Sequence, residues 1–262
     1  MRLLYQSFVD PDLNAPYLER LQAYLNEIAR DGVAVDVRGL SPPDRWFGRL
    51  TELRCAAVAV DNALAAEEEG YDGFVLGHFQ DSGLYEARSA AAIPVVGLGE
   101  SSMHWAAQLG RFMALVSIDP VFTAWHWEQA DRYGLRDRVT AVVGLGLAVE
   151  DFEPAFAGDR AAYDRIVEAF RRRVEPLVER GADVIVPAGG IFGLLTASEH
   201  GFRVGHAPVL NCVAVALKCA EAAVDLRALS GIEPSRGPSF ASPAPEAVAE
   251  YRRFVARGRE AQ

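Results

Sequence analysis

The chain is almost without lysine, and this shortage narrows its chemistry. Lys218 is the sole lysine among 26 basic residues. Pyridoxal phosphate enzymes and Schiff-base aldolases need an amine nucleophile, which in this chain could only be Lys218. That residue falls within an apolar helical stretch, residues 213–224, with no glycine-rich phosphate loop before it. We therefore expect neither kind of chemistry.

Cysteine and long apolar runs are also scarce. Three cysteines, Cys55, Cys212 and Cys219, are too few for a disulfide framework or a zinc cluster, and His200 and His206 lack the spacing of a metal-binding pair. No apolar run approaches the roughly 18 residues of a membrane span, and the opening residues turn polar too early for a secretory leader. We expect a cytoplasmic protein with no bound metal and no membrane partner.

The charge and the glycine pattern exclude two further classes of partner. A net charge of −10 argues against nucleic acid, because binding to phosphates needs a basic surface. Neither G-x-G-x-x-G nor G-x-x-x-x-G-K is present in complete form, so we expect no nucleotide cofactor. A small molecule is the remaining class of partner.

Short aliphatic runs alternate with longer helical segments along the chain. Residues 3–5, 33–37 and 73–76 are typical of buried parallel strands, and residues 17–30 and 51–69 between them have helical periodicity. This βαβ pattern predicts an α/β fold in which a parallel sheet is covered on both faces.

An internal repeat indicates how the chain is organised. Gly70-Tyr-Asp-Gly-Phe-Val-Leu-Gly-His-Phe returns as Gly181-Ala-Asp-Val-Ile-Val-Pro-Ala-Gly-Gly, and Ile93-Pro-Val-Val-Gly returns as Ala207-Pro-Val-Leu-Asn. We therefore predict two similar doubly wound parallel-sheet halves, related by a pseudo-two-fold axis, with a cleft between them. The first half covers residues 1–110 and is completed by helix 212–228; the second covers 111–208, and a C-terminal helical tail covers 229–262.

Polar residues at the predicted strand ends are the candidate site, because ligands of such sheets bind outside the carboxyl ends of the strands. His78 follows a buried strand, and its imidazole suits proton transfer near neutral pH. We expect His78 to be a general acid/base, oriented by Asp81 nearby in the sequence. Alternatively, His78 has only a structural role.

The other strand ends supply candidate substrate contacts. Gly189 and Gly190 begin a strand-to-helix turn whose free N–H groups could hold a carboxylate or an oxyanion. Further candidates are the polar side chains Gln6, Ser7 and Ser117, and the helix-opening thiol Cys212, whose position can lower its pKa. Trp46 and Phe47 are candidates for an apolar lid. Each candidate also has a purely structural interpretation. The glycines would form a tight turn, the polar side chains would cap helices, Cys212 would be a buried thiol, and Trp46 and Phe47 would belong to an ordinary loop.

Three segments together resemble the aspartate/glutamate racemase superfamily, especially its hydantoin racemase branch: residues 75–84, 94–104 and 182–190. The resemblance implies cofactor-independent proton transfer at a carbon next to a carbonyl group, performed by one cysteine on each side of the cleft. It also implies assembly into a homo-oligomer. His78 and Gly189 stand at the two cysteine positions, so racemisation by two thiols does not carry over to this chain.

An imidazole on one face and backbone amides on the other suit a reaction in which a proton moves on one face only. We therefore expect a cofactor-independent isomerase or lyase that uses one base on a small carboxylate or amide. Three alternatives stay open. They are a racemase or epimerase in which Cys212 or a bound water serves the second face, a cofactor-free decarboxylase, and an inactive fold that binds a small metabolite.

Overall fold

The aliphatic runs of the sequence form short strands, and the helical stretches form the connections between them. The computed structural model describes residues 1–43 and 46–260. The strands are β1 (Arg2–Gln6), β2 (Ala34–Arg38), β3 (Gly73–Leu76), β4 (Val95–Gly97), β5 (Met113–Ser117), β6 (Val139–Gly144), β7 (Val184–Pro187), β8 (Arg203–Val204) and β9 (Ala207–Pro208). The helices are α1 (Ala15–Ile28), α2 (Arg49–Glu68), α3 (Leu84–Ala90), α4 (Leu98–Leu109), α5 (Thr123–Arg132), α6 (Glu153–Phe156), α7 (Arg160–Glu179), α8 (Gly190–Leu195), α9 (Cys212–Ser230) and α10 (Pro245–Glu260).

The strands form two parallel sheets of matching order. The first sheet has the order β2-β1-β3-β4, and the second has the order β6-β5-β7. The place that β4 takes in the first sheet is taken in the second by a parallel bridge between Ile185 and Val209. Strands β8 and β9 form a small antiparallel ribbon. The predicted parallel α/β class is confirmed.

The two sheets present equivalent residues at the same edge. In the first sheet Gln6 of β1 is paired with Leu76 of β3, and in the second sheet Val116 of β5 is paired with Pro187 of β7. The residues that follow these strands are therefore equivalent as well: Ser7 corresponds to Ser117, and His78 corresponds to Gly189. The register thus matches the sequence repeat and brings the polar strand ends to one edge.

Two long helices cross between the sheets. Helix α9 packs against β3 and β4 of the first sheet, whereas α4, which precedes the second half in sequence, packs against β7 of the second sheet. The two helices also contact each other, and the largest hydrophobic cluster contains Tyr5 and Val75 of one sheet together with Leu115 and Val184 of the other. Because the halves share this core, the boundary near residue 110 stays a prediction.

The last helix of the tail lies on the outside of the first half. In α10, Val255 is buried, the Tyr251 hydroxyl donates to the carbonyl of Ala57, and Arg252 pairs with Glu68 at 2.8 Å. Helix α10 therefore packs against α2. Among the described residues, no helix is both long enough and apolar enough to cross a membrane.

A close approach between two strands predicts one stability effect. A Cβ on Gly77, which follows β3, would lie 2.0 Å from Cε1 of the buried Tyr5 ring. We expect Gly77→Ala to lower the free energy of unfolding in urea by about 2–3 kcal/mol, because the ring has to move within a packed core.

Gly258→Ala in α10 is the control for this substitution. A Cβ on Gly258 meets no atom within 4 Å, and the change should alter the free energy of unfolding by less than about 1 kcal/mol. Equal effects of the two substitutions would show that the Tyr5 ring does not restrict position 77.

Candidate active site

A cavity of about 90 Å³ lies between the two sheets, at the carboxyl ends of their strands. A water-sized group needs roughly 10–15 Å³ of such a volume, so the cavity has room for about six to nine groups of that size. This size suits a small ring or a short acid and excludes a nucleotide. Five of the predicted site residues line it: His78, Ser7, Ser117, Gly189 and Gly190.

His78 is paired with a carboxylate from a distant part of the sequence. Its Nε2 lies 2.7 Å from Oε1 of Glu52, which also accepts a hydrogen bond from the Ser82 hydroxyl. Glu52 lies in the first turn of α2, where the helix dipole favours a negative charge. The Glu52 side chain is 8% exposed and the His78 side chain 19% exposed, so the pair is largely shielded from water.

The protonation of this pair follows from its surroundings. Burial raises the pKa of Glu52, but the charge of His78 and the hydrogen bonds from His78 and Ser82 outweigh it and hold that pKa below its ordinary value. Glu52 is therefore an acceptor for Nε2–H, and the uncharged form of an imidazole bound in this way has no proton on Nδ1. In residues 1–43 and 46–260, His78 Nδ1 has no hydrogen-bond partner. It is chemically able to accept a proton.

Aromatic rings line the cavity, and one of them stacks on the imidazole. The Phe8 ring stacks on His78 with centroids 4.2 Å apart and an interplanar angle of 4°. Phe47 lines the cavity and packs against Phe122, with ring centroids 5.0 Å apart. Of the two predicted lid residues, Phe47 thus covers the cavity, whereas Trp46 is 82% exposed. The residues before them, 44 and 45, lie outside the described ranges.

Hydroxyl groups stand at the equivalent ends of β1 and β5. Ser117 is buried, and its Oγ has no hydrogen-bond partner in the part of the chain that the structure describes. Ser7 is equally buried, and its hydroxyl is a hydrogen-bond partner of Tyr17. Since a buried polar group without a partner is unfavourable, the Ser117 hydroxyl is available to a ligand. That these serines bind substrate stays a prediction.

The glycines opposite His78 differ from each other. The N–H of Gly189 donates to the carbonyl of Pro187 at 2.9 Å, so the expectation of a free amide at Gly189 is wrong. Gly190 opens α8 and is followed by Ile191; both line the cavity, and the N–H groups of a first helical turn have no acceptor within the helix. A Cβ on Gly189 would meet no atom within 4 Å, so a side chain fits there.

Asp81 is a structural residue rather than a partner of the imidazole. Its buried carboxylate accepts hydrogen bonds from the backbone N–H groups of Gly99 at 3.1 Å and Glu100 at 2.6 Å, at the start of α4. Tyr133 donates its hydroxyl at 2.6 Å, and Gln129 donates its side-chain amide at 3.2 Å. Four donors thus converge on this one carboxylate.

The prediction that Asp81 orients His78 is therefore wrong, because Glu52 is the carboxylate on the imidazole. Asp81 instead fixes the loop that carries His78. Gln129 of α5 contributes to the same task, since its amide also donates to the carbonyl of Phe79 at 2.5 Å. The loop after β3 is thus attached to α4 and to α5.

Gln6 also has a structural role, and it does not line the cavity. It is fully buried, and its amide N–H groups donate to the carbonyls of Ser7, Arg38 and Gly39 at 2.8–3.1 Å. Its Oε1 accepts a hydrogen bond from Asn62 at 2.7 Å. The prediction that Gln6 contacts substrate is wrong, because its side-chain amide makes its hydrogen bonds to other groups of the protein.

Cys212 opens α9 as expected, but its thiol is inside the core. It is fully buried, and its Sγ donates to the carbonyl of Gly189 at 3.3 Å. Burial raises the pKa of the thiol to about 12, and the nearby backbone N–H groups of the helix start do not offset this. The prediction of a reactive or substrate-binding thiol at position 212 is therefore wrong.

The site also contains residues that were not predicted from the sequence, and Glu52 and Tyr17 are two of them with ionisable side chains. Both lie in the first turn of a helix that follows a strand, Glu52 in α2 and Tyr17 in α1. In a parallel α/β sheet these helix starts lie at the same edge as the strand ends. This rule could have identified Glu52 and Tyr17 as site residues. Asp81 was predicted as the partner of His78 instead because it is close to His78 in the sequence.

Comparison with known proteins identifies the family to which this architecture belongs. Residues 8–220 match the family described as Asp/Glu/Hydantoin racemase. The chain belongs to this family. Hydantoin racemase of Pseudomonas sp. (strain NS671) is 30% identical over 167 residues, 64% of each chain, so the match spans less than two thirds of that enzyme.

Further relatives agree with the hydantoin racemase-like branch of the family, and they confirm the resemblance seen in the sequence. Hydantoin racemase of Rhizobium meliloti is 25% identical over 201 residues, covering 75% of this chain and 78% of that protein. The structure of allantoin racemase from Klebsiella pneumoniae has a TM-score of 0.77 and 26% identity, covering 93% of this chain and 94% of that one.

The buried Asp81 predicts a pH dependence of stability. Burial raises its pKa to about 7 in the fold, although the hydrogen bonds from Tyr133, Gly99 and Glu100 oppose this, whereas an unfolded aspartate has a pKa near 3.9. Its contribution to the free energy of unfolding is therefore complete below about pH 4 and is lost as the pH rises through about 7.

Urea unfolding between pH 4 and pH 8 measures this effect. The free energy of unfolding of the parent protein should fall relative to that of Asp81→Asn as the pH rises over this range, because aspartate titrates and asparagine does not. Two stability curves that stay parallel across the range would contradict the assignment.

Proposed function

We propose that the protein is a cofactor-independent isomerase that moves a proton at the carbon next to a carbonyl group of a small cyclic amide. The observation that carries this proposal is the Glu52–His78 pair, in which a buried carboxylate leaves Nδ1 of a cavity-lining imidazole unprotonated. The family supports the reaction class. Relatives named hydantoin racemase and allantoin racemase support the substrate class, since both names refer to cyclic amides.

The cavity lining favours a neutral amide over a free amino acid. Among its described residues, the lining contains no arginine and no lysine to pair with a carboxylate. It offers instead hydroxyl groups, the backbone N–H groups at the start of α8, and the phenyl rings of Phe8, Phe47 and Phe122. Such a surface suits a ring with carbonyl groups and one apolar substituent.

In the proposed reaction Nδ1 of His78 removes the proton from the ring carbon. The electron pair of the C–H bond forms a double bond to the carbonyl carbon, and the carbonyl oxygen becomes an enolate oxygen. Protonated His78 then returns the proton on the same face. Return to the same carbon regenerates the substrate, which exchanges its proton without inversion, whereas transfer to a neighbouring atom gives an isomer. Glu52 holds the imidazolium by charge and by its hydrogen bond while the proton resides there.

One-sided proton transfer follows from the residues opposite His78. Gly189 has no side chain, and the Cys212 thiol is buried with a high pKa. No racemase step by two thiols is therefore proposed. A decarboxylase and a protein that only binds a metabolite are the other candidates, and the test below separates them. Cytoplasmic location and assembly into a homo-oligomer stay predictions.

Exchange of the substrate proton for deuterium tests the base. Proton NMR in D₂O with a panel of 5-substituted hydantoins and allantoin should show exchange at the ring carbon. We expect His78→Ala to slow it by about 10²–10⁴-fold, because the proton acceptor is lost. Glu52→Gln should slow it by roughly 10²-fold or more, because the amide no longer fixes the tautomer.

His200→Ala, at an exposed position, is the matched control and should exchange at the parental rate. Undiminished exchange in His78→Ala would contradict the proposal. Carbon dioxide release from malonates without hydantoin exchange would identify a decarboxylase, and tight binding without exchange or turnover would identify a metabolite-binding protein.

Gly189→Cys tests whether the reaction is one-sided. The parent protein should exchange the proton of a single enantiomer with little inversion, because one face alone carries a base. In Gly189→Cys a thiol can reach the second face, and the ratio of inversion to exchange should rise by roughly tenfold or more. Circular dichroism of the substrate, recorded alongside deuterium uptake, measures the ratio.

Gly189→Ser is the control of matched size, and it should not raise the inversion ratio because its hydroxyl is a much weaker acid than a thiol. A parent protein that inverts its substrate as fast as it exchanges the proton would show that a second group already serves the other face.

A further inference from the structure

Tyr17 is a cavity residue that neither the family match nor the sequence repeat assigns. It lies in the first turn of α1 and is 3% exposed, and it lines the cavity. A Cβ on Gly190 would lie only 3.1 Å from the Tyr17 hydroxyl. The hydroxyl therefore stands beside the start of α8, next to the wall that faces His78.

The contacts of Tyr17 hold its hydroxyl in place. Its ring meets the Phe156 ring edge to face, with centroids 5.4 Å apart at an angle of 65°. The Ser7 hydroxyl is its hydrogen-bond partner. Two hydroxyl groups, each able to donate one hydrogen, thus share this corner of the cavity, and one of the two donors remains without an acceptor in a Ser7–Tyr17 pair.

Neighbouring groups show the same excess of donors. The buried hydroxyl of Tyr5 would lie 3.7 Å from a Cβ on Gly190, and it has no hydrogen-bond partner in residues 1–43 and 46–260. Among the described residues, the Ser117 hydroxyl is also without a hydrogen-bond partner. Buried donors without acceptors are rare in proteins, so this corner is built to receive an oxygen with negative charge.

Tyr17 keeps its proton in this setting. Burial raises its pKa above the ordinary value, and the hydrogen bond with Ser7, which is the next-largest effect, lowers the pKa without offsetting the burial. The residue is therefore a phenol near neutral pH, which makes it a hydrogen-bond donor and not a base.

We propose that Tyr17 is a catalytic residue that donates its hydroxyl hydrogen to the substrate oxygen on which negative charge develops when His78 removes the proton. This inference rests on the proposed function and adds to it the group that stabilises the enolate. No bond to the Tyr17 hydrogen breaks in the step; the hydrogen bond becomes stronger as the carbonyl oxygen becomes an enolate oxygen.

Tyr17→Phe and Tyr24→Phe form a matched pair for the test. Tyr24 lies on the same helix, and its hydroxyl accepts a hydrogen bond from Asn211 at 2.6 Å, away from the cavity. We expect Tyr17→Phe to lower kcat for hydantoin exchange by about 10²–10³-fold with KM changed less than about threefold, because the contact strengthens only as charge develops. Tyr24→Phe should keep kcat within about threefold of the parent, and equal thermal midpoints of the two variants exclude a folding defect.

Binding of barbiturate, a planar ring anion with enolate-type oxygens, gives a readout that does not depend on turnover. Calorimetry should show Kd raised by about 10-fold or more in Tyr17→Phe and unchanged in Tyr24→Phe. Parental exchange and parental barbiturate binding in Tyr17→Phe, with His78→Ala inactive, would overturn the role of Tyr17 and leave the proposed function standing.

A parent protein that exchanges no hydantoin proton would instead overturn the proposed function. In that case barbiturate binding still decides whether Tyr17 donates to an anionic oxygen: weakened binding in Tyr17→Phe supports the contact, and unchanged binding removes it.

Discussion

A single hydrogen bond, between Nε2 of His78 and the carboxylate of Glu52, determines what the cavity can do. A neutral imidazole carries its proton on either nitrogen, and the buried carboxylate selects Nε2. The other nitrogen of the uncharged ring then has a free lone pair that can accept a proton. Without Glu52 the same histidine beside Phe8 would be a partly buried aromatic side chain with no fixed tautomer.

The architecture supports this bond from several sides. Parallel strands bring the loop after β3 and the start of α2 to one edge, although His78 and Glu52 are 26 residues apart. Asp81 then attaches that loop to α4 and α5. The second half repeats the geometry but carries Gly189 where the first half carries His78. Two sheets of similar strand order therefore carry different groups at equivalent positions, a histidine in the first and a glycine in the second.

The sequence predicts the parts of this arrangement that are local or repeated. The alternation of strands and helices and the repeat offset lead to the two sheets and to equivalent places for His78 and Gly189. The partner of the imidazole could not be found this way, because Glu52 reaches it through folding and Asp81 is closer in sequence. Polar residue type also misled at Gln6: a buried amide whose hydrogen bonds are all made within the protein has the same sequence signal as one that faces a ligand.

The tautomer of His78 is the most direct test of the central claim. Long-range ¹H–¹⁵N NMR of the uniformly labelled protein at neutral pH reports the protonation of each ring nitrogen. We expect Nε2 to be protonated and Nδ1 not, and we expect this preference to weaken in Glu52→Gln. A ring protonated on Nδ1, or a tautomer that stays the same when Glu52 is replaced, would contradict it.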